Sequence, residues 1–338
     1  MTLRIGLVGG GAHARNCLLP ALRASRRARL SAVADPSPAA RAACGCVPTF
    51  PDISALLAAG PLDAVLIAAP PAEQPSLAAL ALAQGLHVYL EKPGALAATE
   101  LLELATLARA RDRRVALGFN YRFLPAHSDL AAALRSGRIG RPVALQSIFT
   151  GPAAGGWRTD PSRGGGALRD LAAHEIDLAR WLFADDIESV QATIQSHSTA
   201  ADTASLELRF RRGGIAQIFA SFGTAQQARI ELLGSHGRLS ACRWQSLTAE
   251  YSGTVAGGPL RGTLAALCSL AHPLRWWRRS RAPGGDESRA RALDAFFDLI
   301  AQGTSASPTL ADGIACLEAI AAAEDSERTG RRVQLSTP

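Results

Sequence analysis

The sequence predicts an α/β protein: an N-terminal doubly wound parallel sheet, followed by an α+β domain with a large, mostly antiparallel open sheet. Two observations lead to this prediction. Over residues 1–120, strand-like apolar segments alternate with helical patterns, which is typical of a parallel sheet covered on both faces. Over residues 189–240, strand-like segments follow one another without a helical pattern between them, which favours antiparallel pairing.

The length of the chain predicts two domains. Its 338 residues, of which 48% are apolar, exceed what one compact core usually holds. The pattern changes after residue 120, so we expect domains at 1–120 and 121–338.

Each predicted strand is a short apolar run bounded by glycine, proline or polar residues. In the first domain these runs are 3–8, 29–34, 63–69, 87–90 and 114–119, with helical patterns at Leu18–Leu22, 75–85 and 95–112. In the second domain a helical pattern at 126–137 precedes strand-like runs at 143–150, 189–197, 204–210, 215–222 and 228–234. Ligands of parallel sheets bind beyond the carboxyl ends of the strands.

The turn after the first strand reads GGGAHA at residues 9–14. Gly9 permits a sharp turn, Gly11 lets the backbone approach a pyrophosphate, and Ala14 lets the helix lie close to the strand. The free N–H groups and positive dipole end of that helix favour phosphate. Together with the strand on either side, this turn predicts a dinucleotide-binding Rossmann domain.

Asp35 ends the second strand, at the distance from the glycine turn where an acidic residue accepts hydrogen bonds from ribose hydroxyls. A carboxylate there repels a 2′-phosphate, so NAD is favoured over NADP. Arg41 weakens this preference and keeps NADP as an alternative. The predicted cofactor-binding residues, all at strand ends, are Gly9, Gly11, Ala12, His13, Ala14, Asp35, Ala69, Pro70, Glu91, Lys92 and Asn120.

Lys92, in the segment YLEKPG, is the one lysine among 36 basic residues. A guanidinium does not give up its proton in proteins, whereas an ammonium can when burial or a nearby cation lowers its affinity for the proton. Because Lys92 follows a strand at the rim of the predicted crevice, we expect it to take part in proton transfer. The alternative is compositional bias with one surviving lysine.

The segment GGGALRDLAAHEIDLARWLF at 164–183 combines a glycine loop with a helical pattern. Asp170, His174 and Asp177 lie at i, i+4 and i+7 and share one helix face. A histidine on a helix is usually structural or solvated. An aspartate one turn away can orient the ring and stabilise its charged form, so His174 is a candidate base.

Composition argues against several other classes of protein. The formal charge is +7, but apart from Arg275–Arg281 the arginines are scattered and no nucleic-acid-binding motif accompanies them. No apolar run is long enough for a spanning helix and no signal peptide is evident, so a cytosolic protein with free thiols is expected.

Cys44 and Cys46 lack partners at metal spacing, and no metal is predicted. The Trp- and Arg-rich stretch 264–281 favours packing at a subunit contact over a lipid or anionic amphiphile surface.

Several motifs together resemble one family. They are VGGGAHA (8–14), AVADPSP (32–38), YLEKPG (89–94), GFNYRFLP (118–125), GGGALRDLAAHEID (164–177) and the ending 311–335. With these motifs the chain resembles the glucose–fructose oxidoreductase/inositol dehydrogenase (Gfo/Idh/MocA) family of nicotinamide-dependent oxidoreductases. The segment A-P-P-A-E-Q at 69–74 departs from the family's T-P-N-x-x-H.

The resemblance implies that Lys92, Asp170 and His174 form the catalytic set. It also implies that Trp157 and Arg158 lie near the nicotinamide, and that the second-domain sheet pairs copies into a homodimer or homotetramer. The expected substrate-binding residues are Tyr121, Arg122, Trp157, Arg158, Asp170 and His174.

The predicted function is hydride transfer between a nicotinamide and a secondary alcohol or ketone carbon of a sugar, cyclitol or related polyol. In the oxidation direction His174 takes the hydroxyl proton, Asp170 holds the imidazole, and Lys92 hydrogen-bonds the substrate oxygen. Two alternatives are a biosynthetic keto or imine reductase and a non-catalytic nicotinamide-binding sensor or partner subunit. The presence of all three proton-handling residues favours an enzyme.

Overall fold

The computed structural model describes residues 2–45, 47–243, 246, 248–253, 287–304 and 306–336. The chain divides into two compact units. The first contains 1–120, 162–164 and 283–317, and the second contains 121–161, 165–282 and 318–338. The described residues 287–304 and 306–317 therefore belong to the first unit, although the sequence prediction placed them in the second domain. The functional assignment of the two domains stays a prediction.

Six parallel strands form the sheet of the first unit. They are β1 (Leu3–Val8), β2 (Ala28–Ala34), β3 (Thr49–Phe50), β4 (Ala64–Ile67), β5 (His87–Leu90) and β6 (Val115–Leu117). Their order, β3-β2-β1-β4-β5-β6, is that of a Rossmann sheet, in which the ligand crevice lies where the strand order reverses. All four residues of β4 are buried, as expected for a central parallel strand. The predicted parallel sheet is confirmed.

Five α-helices connect these strands: α1 (Leu19–Ala24), α2 (Pro38–Ala42), α3 (Ile53–Ala58), α4 (Gln74–Ala83) and α5 (Ala98–Ala110). Before α1, residues Ala14–Leu18 form a π-helical turn, where the sequence pattern predicted regular helix. Pro20 lies in the first turn of α1 and has no N–H to donate to the preceding turn. Helix α5 begins three residues later than predicted because Glu100 accepts hydrogen bonds from the backbone N–H groups of Leu96 and Ala97.

Eight strands among the described residues form the sheet of the second unit, in the order β13-β12-β11-β7-β10-β9-β8-β14. They are β7 (Pro142–Gly151), β8 (Ile187–Gln195), β9 (Thr203–Phe210), β10 (Ile215–Phe222), β11 (Gln227–Gly234), β12 (Gly237–Cys242), β13 (Glu250–Gly253) and β14 (Val333–Gln334). Neighbouring strands are antiparallel except β7 and β10, which are parallel. The predicted mostly antiparallel sheet is confirmed.

Among the residues that the structure describes, helices cover one face of this sheet and leave the other open. Leu145 and Phe149 of β7 are buried, whereas Ile148 between them is exposed, because side chains alternate between the faces of a strand. Helices α6 (Pro125–Arg135) and α7 (Ala173–Phe183) belong to this unit, and α7 packs on β7 and β10.

Helix α8 (Ser288–Gln302) completes the core of the first unit. Its Leu293, Phe296 and Phe297 are buried with residues of β1, β2 and β5, and the ring centroids of Phe296 and Tyr89 lie 5.7 Å apart. Helix α9 (Leu310–Thr329) follows. Among the helices that the structure describes, none combines the length and apolarity that crossing a membrane would need.

Candidate active site

The glycine turn after β1 has the geometry that the sequence predicts. Gly9 has φ +94°, and a Cβ there would lie 2.7 Å from the carbonyl oxygen of Ala68, so only glycine fits. A Cβ at Gly10 would meet the Cys44 sulfur at 2.9 Å. At Gly11, by contrast, no described heavy atom beyond its own chain neighbours lies within 4 Å of that position. The backbone there is open to the close approach of a ligand, which is what the predicted pyrophosphate role requires.

Asp35 ties this turn to the end of β2. Its Oδ2 accepts a hydrogen bond from the Gly10 N–H at 2.7 Å, and its Oδ1 accepts one from the Ser37 N–H at 2.8 Å. The guanidinium of Arg41 donates to the carbonyl oxygens of Asp35 and Pro36 at 2.7 and 3.2 Å. Each carboxylate oxygen has a second lone pair for a further hydrogen bond, so the residue fits the predicted ribose contact, with a cation beside it.

His13 and Glu91 connect the glycine turn to the end of β5. The His13 Nε2 lies 3.0 Å from the Glu91 Oε1. The burial of Glu91 and the partial burial of His13 disfavour the two charges, but the attraction between them outweighs this cost: the pKa of His13 is raised to about 9, and the pKa of Glu91 is lowered. Arg289 and Lys92 add to the effect on Glu91. Because the His13 side chain is 45% exposed, the ion pair contributes only modestly to stability.

Gln74, which stands where the family motif has histidine, holds the segment after β4. Gln74 is buried, and its Nε2 donates to the carbonyl oxygen of Ala69 at 2.9 Å. Pro70 and Pro71 lie inside the loop that this bond closes, and a Cβ at Gly164 would meet Pro71 at 2.7 Å. Gln74 therefore shapes the segment that contains the predicted cofactor contacts Ala69 and Pro70.

Asn120 follows β6 and is buried. Its Nδ2 donates to the Ser288 hydroxyl at 2.6 Å, which joins the end of the sheet to the first residue of α8. Its predicted contact with the cofactor stays a prediction beside this structural bond.

In the second unit, the glycines before α7 allow two backbone segments to touch. A Cβ at Gly165 would lie 2.5 and 2.6 Å from the carbonyl oxygens of Trp157 and Arg158, so no larger residue fits. The Ala167 N–H donates to the Ala201 carbonyl at 2.8 Å. This places the start of the helical segment against the loop before β9.

Asp202 stabilises that loop. Its carboxylate accepts hydrogen bonds from the N–H groups of His197, Ser198 and Thr199. Burial opposes the charge, but these hydrogen bonds lower the pKa of Asp202 to about 2. The loop therefore stays ordered by a carboxylate that is ionised across the physiological pH range.

The helix after the glycines does not begin as a regular α-helix. Residues Leu168–Ala172 form a π-helical turn before α7, and such turns are frequent at functional sites. Asp170 lies in this turn, and its Oδ2 accepts a hydrogen bond from Nε of Arg158 at 2.6 Å, while Nη2 of the same guanidinium lies 2.6 Å from this oxygen. Two residues predicted from separate segments, Asp170 and Arg158, are thus brought together.

His174 lies in the first turn of α7 and is only 7% exposed. Its ring stacks on that of Tyr121, with centroids 3.8 Å apart and planes 5° from parallel. Tyr121 is itself buried and meets Phe149 edge to face at 5.6 Å. A buried, stacked imidazole has a defined plane, which a base needs and a solvated surface histidine lacks.

Arg122 and Asp177 form a buried ion pair. The Arg122 Nε donates to the Asp177 Oδ2 at 2.8 Å, and Nη2 donates to Oδ1. Asp177 is 1% exposed and Arg122 10%. The predicted substrate residue Arg122 therefore has a structural partner: it joins the segment that contains Tyr121 to the helix that contains His174.

Sequence reasoning missed two residues near His174. Arg243 follows β12 and places its guanidinium carbon 3.9 Å from the Tyr121 ring centroid. Glu175 is buried and accepts a hydrogen bond from the Ser147 hydroxyl at 2.5 Å. Burial raises the pKa of Glu175 to about 7; the Ser147 bond opposes this rise and the charge of Asp177 adds to it. No sequence signal marks Arg243, whereas Glu175 adjoins the predicted base.

Comparisons with known proteins agree with these observations. A family model described as an oxidoreductase family with an NAD-binding Rossmann fold matches residues 3–119, and the GFO/IDH/MocA C-terminal domain model matches 127–240. An inositol 2-dehydrogenase of Acidothermus cellulolyticus is 33% identical over 270 residues, covering 75% of this chain and 76% of that protein. The chain belongs to the GFO/IDH/MocA oxidoreductase family.

Full-length similarity supports the same assignment. An inositol 2-dehydrogenase of Pseudomonas fluorescens is 28% identical over 354 residues, covering 100% of this chain and 98% of that protein. The solved structure of an oxidoreductase domain protein from Kribbella flavida has the same fold, with a TM-score of 0.82, 24% identity and complete coverage of both chains. The predicted family, the oxidoreductase class and the NAD-binding Rossmann fold are confirmed. The open backbone at Gly11 and the Asp35 carboxylate fit the pyrophosphate and the ribose of NAD, respectively.

The sequence also predicts free thiols and no metal site. Among residues that the structure describes, no group of three His, Cys, Asp or Glu side chains is placed to hold a metal. Cys17, Cys44, Cys242 and Cys316 are free thiols. Burial raises the pKa of Cys44, whereas the hydrogen bond from His13 lowers the pKa of Cys17 against the effect of burial. Cys46 and the stretch 264–281 lie outside the described residues.

The buried carboxyl of Glu175 predicts a pH-dependent stability. With its folded pKa raised from 4.5 to about 7, the folded state retains a proton that the unfolded state releases, so stability falls as pH rises from 4.5 to 7. Glu175→Gln removes this loss. We expect urea unfolding to show equal stability of the two proteins near pH 4.5 and an advantage of the variant of roughly 3 kcal/mol above pH 7. A difference that does not change with pH would contradict this assignment.

Proposed function

We propose that this oxidoreductase oxidises a secondary alcohol of a cyclitol or related polyol to a ketone. Two relatives named inositol 2-dehydrogenase, one of them matched over its full length, support this class of substrate. NAD, when bound, supplies the acceptor for the hydride that leaves the substrate carbon. The residues of the chain bind the substrate oxygen and move its proton.

Three residues share the proton transfer in this proposal. His174 accepts the proton of the substrate hydroxyl, and Asp170 orients the imidazole and stabilises the imidazolium that forms. Lys92 donates a hydrogen bond to the substrate oxygen, where negative charge develops as the proton leaves. In ketone reduction each transfer runs in reverse. Base catalysis of this kind contributes roughly 10²–10⁴ in rate.

The observation that carries the proposal is the position of His174. It is buried, stacked on Tyr121, and lies on the helical segment that contains Asp170. The ion pairs Arg122–Asp177 and Arg158–Asp170 hold the helical segment that contains it. Trp157 and Arg158, which precede the glycines of this segment, are proposed to contact the substrate or the nicotinamide.

We also propose that the open face of the second-unit sheet pairs with a second copy of the chain. Ile148 on β7 and Phe219 on β10 are register partners on this face and are 37% and 39% exposed. Ile215 extends the same row and is similarly exposed. An exposed row of large apolar side chains on an ordered sheet is typical of a protein interface.

Replacing Lys92 by arginine tests its role in proton transfer. The variant keeps the charge, but a guanidinium holds its proton and has a different shape. We expect the initial rate of NADH formation with myo-inositol to fall by roughly 10²–10⁴, while calorimetry shows NAD affinity within about threefold of wild type. Arg109→Lys, an exchange at an exposed site of α5, is the control for the substitution type. Turnover of Lys92→Arg equal to wild type would remove Lys92 from the mechanism.

A double-variant cycle asks whether Lys92 and His174 act in one step. If they do, Lys92→Ala combined with His174→Gln is scarcely slower than the slower single variant, because the second loss removes nothing further. If the rate reduction in the double variant equals the product of the two single-variant reductions, the two residues act in independent steps.

Replacing Asp35 by asparagine tests the cofactor preference. The change removes the charge that repels a 2′-phosphate and keeps one acceptor for the Gly10 or Ser37 N–H. We expect the ratio of the NADP to NAD dissociation constants, measured by calorimetry, to shift toward NADP by about tenfold. Asp52→Asn removes a charge from the N-cap of α3 in the same unit and serves as control. An unchanged ratio would show that Asp35 does not set the preference.

Replacing Phe219 by aspartate tests the pairing of sheets. Burying an unpaired charge in an apolar interface is strongly unfavourable, so we expect light scattering to show the mass of the assembly reduced to half or less. Leu80→Asp introduces the same charge at a comparably exposed apolar site on α4 and should leave the mass unchanged. A wild-type monomer, or an intact assembly in Phe219→Asp, rules this interface out.

A further inference from the structure

Tyr121 has a partner on each face of its ring. The His174 ring stacks on it with centroids 3.8 Å apart, and the guanidinium carbon of Arg243 lies 3.9 Å from the same centroid. Two planar groups at this distance cannot share one face of a ring, so Arg243 and His174 lie on opposite faces. The guanidinium carbon and the imidazole centroid are therefore about 8 Å apart, with the aromatic ring between them.

This arrangement favours a neutral imidazole. A guanidinium over an aromatic face is attracted by the negative charge of the ring's π-system. An imidazolium on the opposite face would be a second cation competing for the same ring, and it would also be repelled by the guanidinium through a buried, low-dielectric region. A neutral imidazole stacks on the ring without either cost.

We propose that Arg243 is a positioning residue for the proton transfer: acting through the ring of Tyr121, it holds the plane of the His174 imidazole and favours its neutral form. The inference rests on the proposed role of His174 as the base. A base must be unprotonated before it accepts the substrate proton, and the neighbouring Asp170 acts in the opposite direction by favouring the imidazolium. Arg243 offsets that effect in the free enzyme.

The described titratable groups of the second unit around His174 come from α6, from α7 and from the turn before it. Asp170 is bonded to Arg158, and Asp177 to Arg122. From α6, His127 meets Tyr121 edge to face, and burial lowers the pKa of His127 to about 4, so it carries no charge at neutral pH. Glu175 accepts the hydrogen bond of Ser147 on β7, and because burial raises its pKa to about 7, its charge changes equally in wild type and in the Arg243 variants over the pH range of the test. On β7 the ring of Phe149, which also faces Arg243, contributes no charge.

The stack is fixed from three sides. The Tyr121 carbonyl lies 3.0 Å from the His127 Nδ1, which holds the backbone of the tyrosine. The Arg122–Asp177 ion pair fixes the position of the neighbouring Tyr121 along α7. The Arg243 N–H donates to the Ala228 carbonyl at 2.9 Å and so continues the pairing of β12 with β11. The three groups are thus placed by the sheet, by α7 and by α6.

The test follows the titration of His174 in Arg243→Gln, which keeps a planar group but removes the charge. The His174 ring signal among the seven histidines is assigned by NMR from its loss in His174→Gln. We expect the titration midpoint of this signal to rise by about one pH unit in Arg243→Gln. The acid limb of kcat/KM for myo-inositol oxidation should move up by the same amount. Arg243→Lys, which restores the charge, should return both toward wild type.

Variants at Tyr121 distinguish the contribution of the aromatic ring from that of its hydroxyl. Tyr121→Phe keeps the stack and should leave the titration midpoint of the His174 ring signal at its wild-type value. Tyr121→Leu removes the stack and should lower kcat by roughly ten- to a hundredfold with a smaller change in KM, because the imidazole loses its fixed plane. If Arg243→Gln does not fold, judged by circular dichroism, Arg243→Met provides a neutral side chain of similar length for the same titration.

The outcomes distinguish this inference from the proposed function. An unchanged His174 midpoint in a folded, uncharged Arg243 variant overturns the inference, whatever the activity. A shifted midpoint with an unchanged pH–rate profile supports the effect of Arg243 on the imidazole but removes His174 as the base. Parallel shifts in both measurements support the inference and the proposed function together.

Discussion

The buried ion pair between Arg122 and Asp177 is the contact on which the rest of the site in the second unit depends. It joins a short segment after residue 120 to the middle of α7 through two hydrogen bonds. Removing one partner of such a pair leaves a buried charge, which typically costs about 3–5 kcal/mol. Because Tyr121 precedes Arg122 and His174 lies one turn before Asp177, the same pair keeps the two rings stacked.

Arginine and lysine have different uses in this chain. Arginines hold acids in place at Asp170, Asp177 and Glu324, where a planar, permanently charged group with several donors gives fixed geometry. The one lysine follows Glu91 at the end of β5, beside a carboxylate that also binds His13. In the proposed mechanism the arginines position groups, and proton handling falls to a lysine and a histidine.

The predicted and observed elements differ where contacts between distant segments determine how strands pair or where a helix packs. Strands such as β1 and β5 were predicted to the residue, because a short apolar run with glycine or polar ends is a local property. The parallel pairing of β7 with β10 and the return of α8 to the first unit were not predicted. A strand's neighbours, and the surface on which a helix buries Phe296, depend on the whole fold rather than on local pattern.

The sequence by itself determined the Rossmann sheet, the glycine turn with Asp35, the single lysine after β5, and Asp170 and His174 on one helical segment. Each of these follows from spacing within a short stretch of chain, where periodicity and backbone sterics act directly. Only the tertiary structure decided that Arg122 pairs with Asp177, that Glu175 is buried against Ser147, and that Arg243 reaches Tyr121. Those contacts join segments far apart in the chain, and burial and charge pairing between them exist only once the sheet and its covering helices have packed.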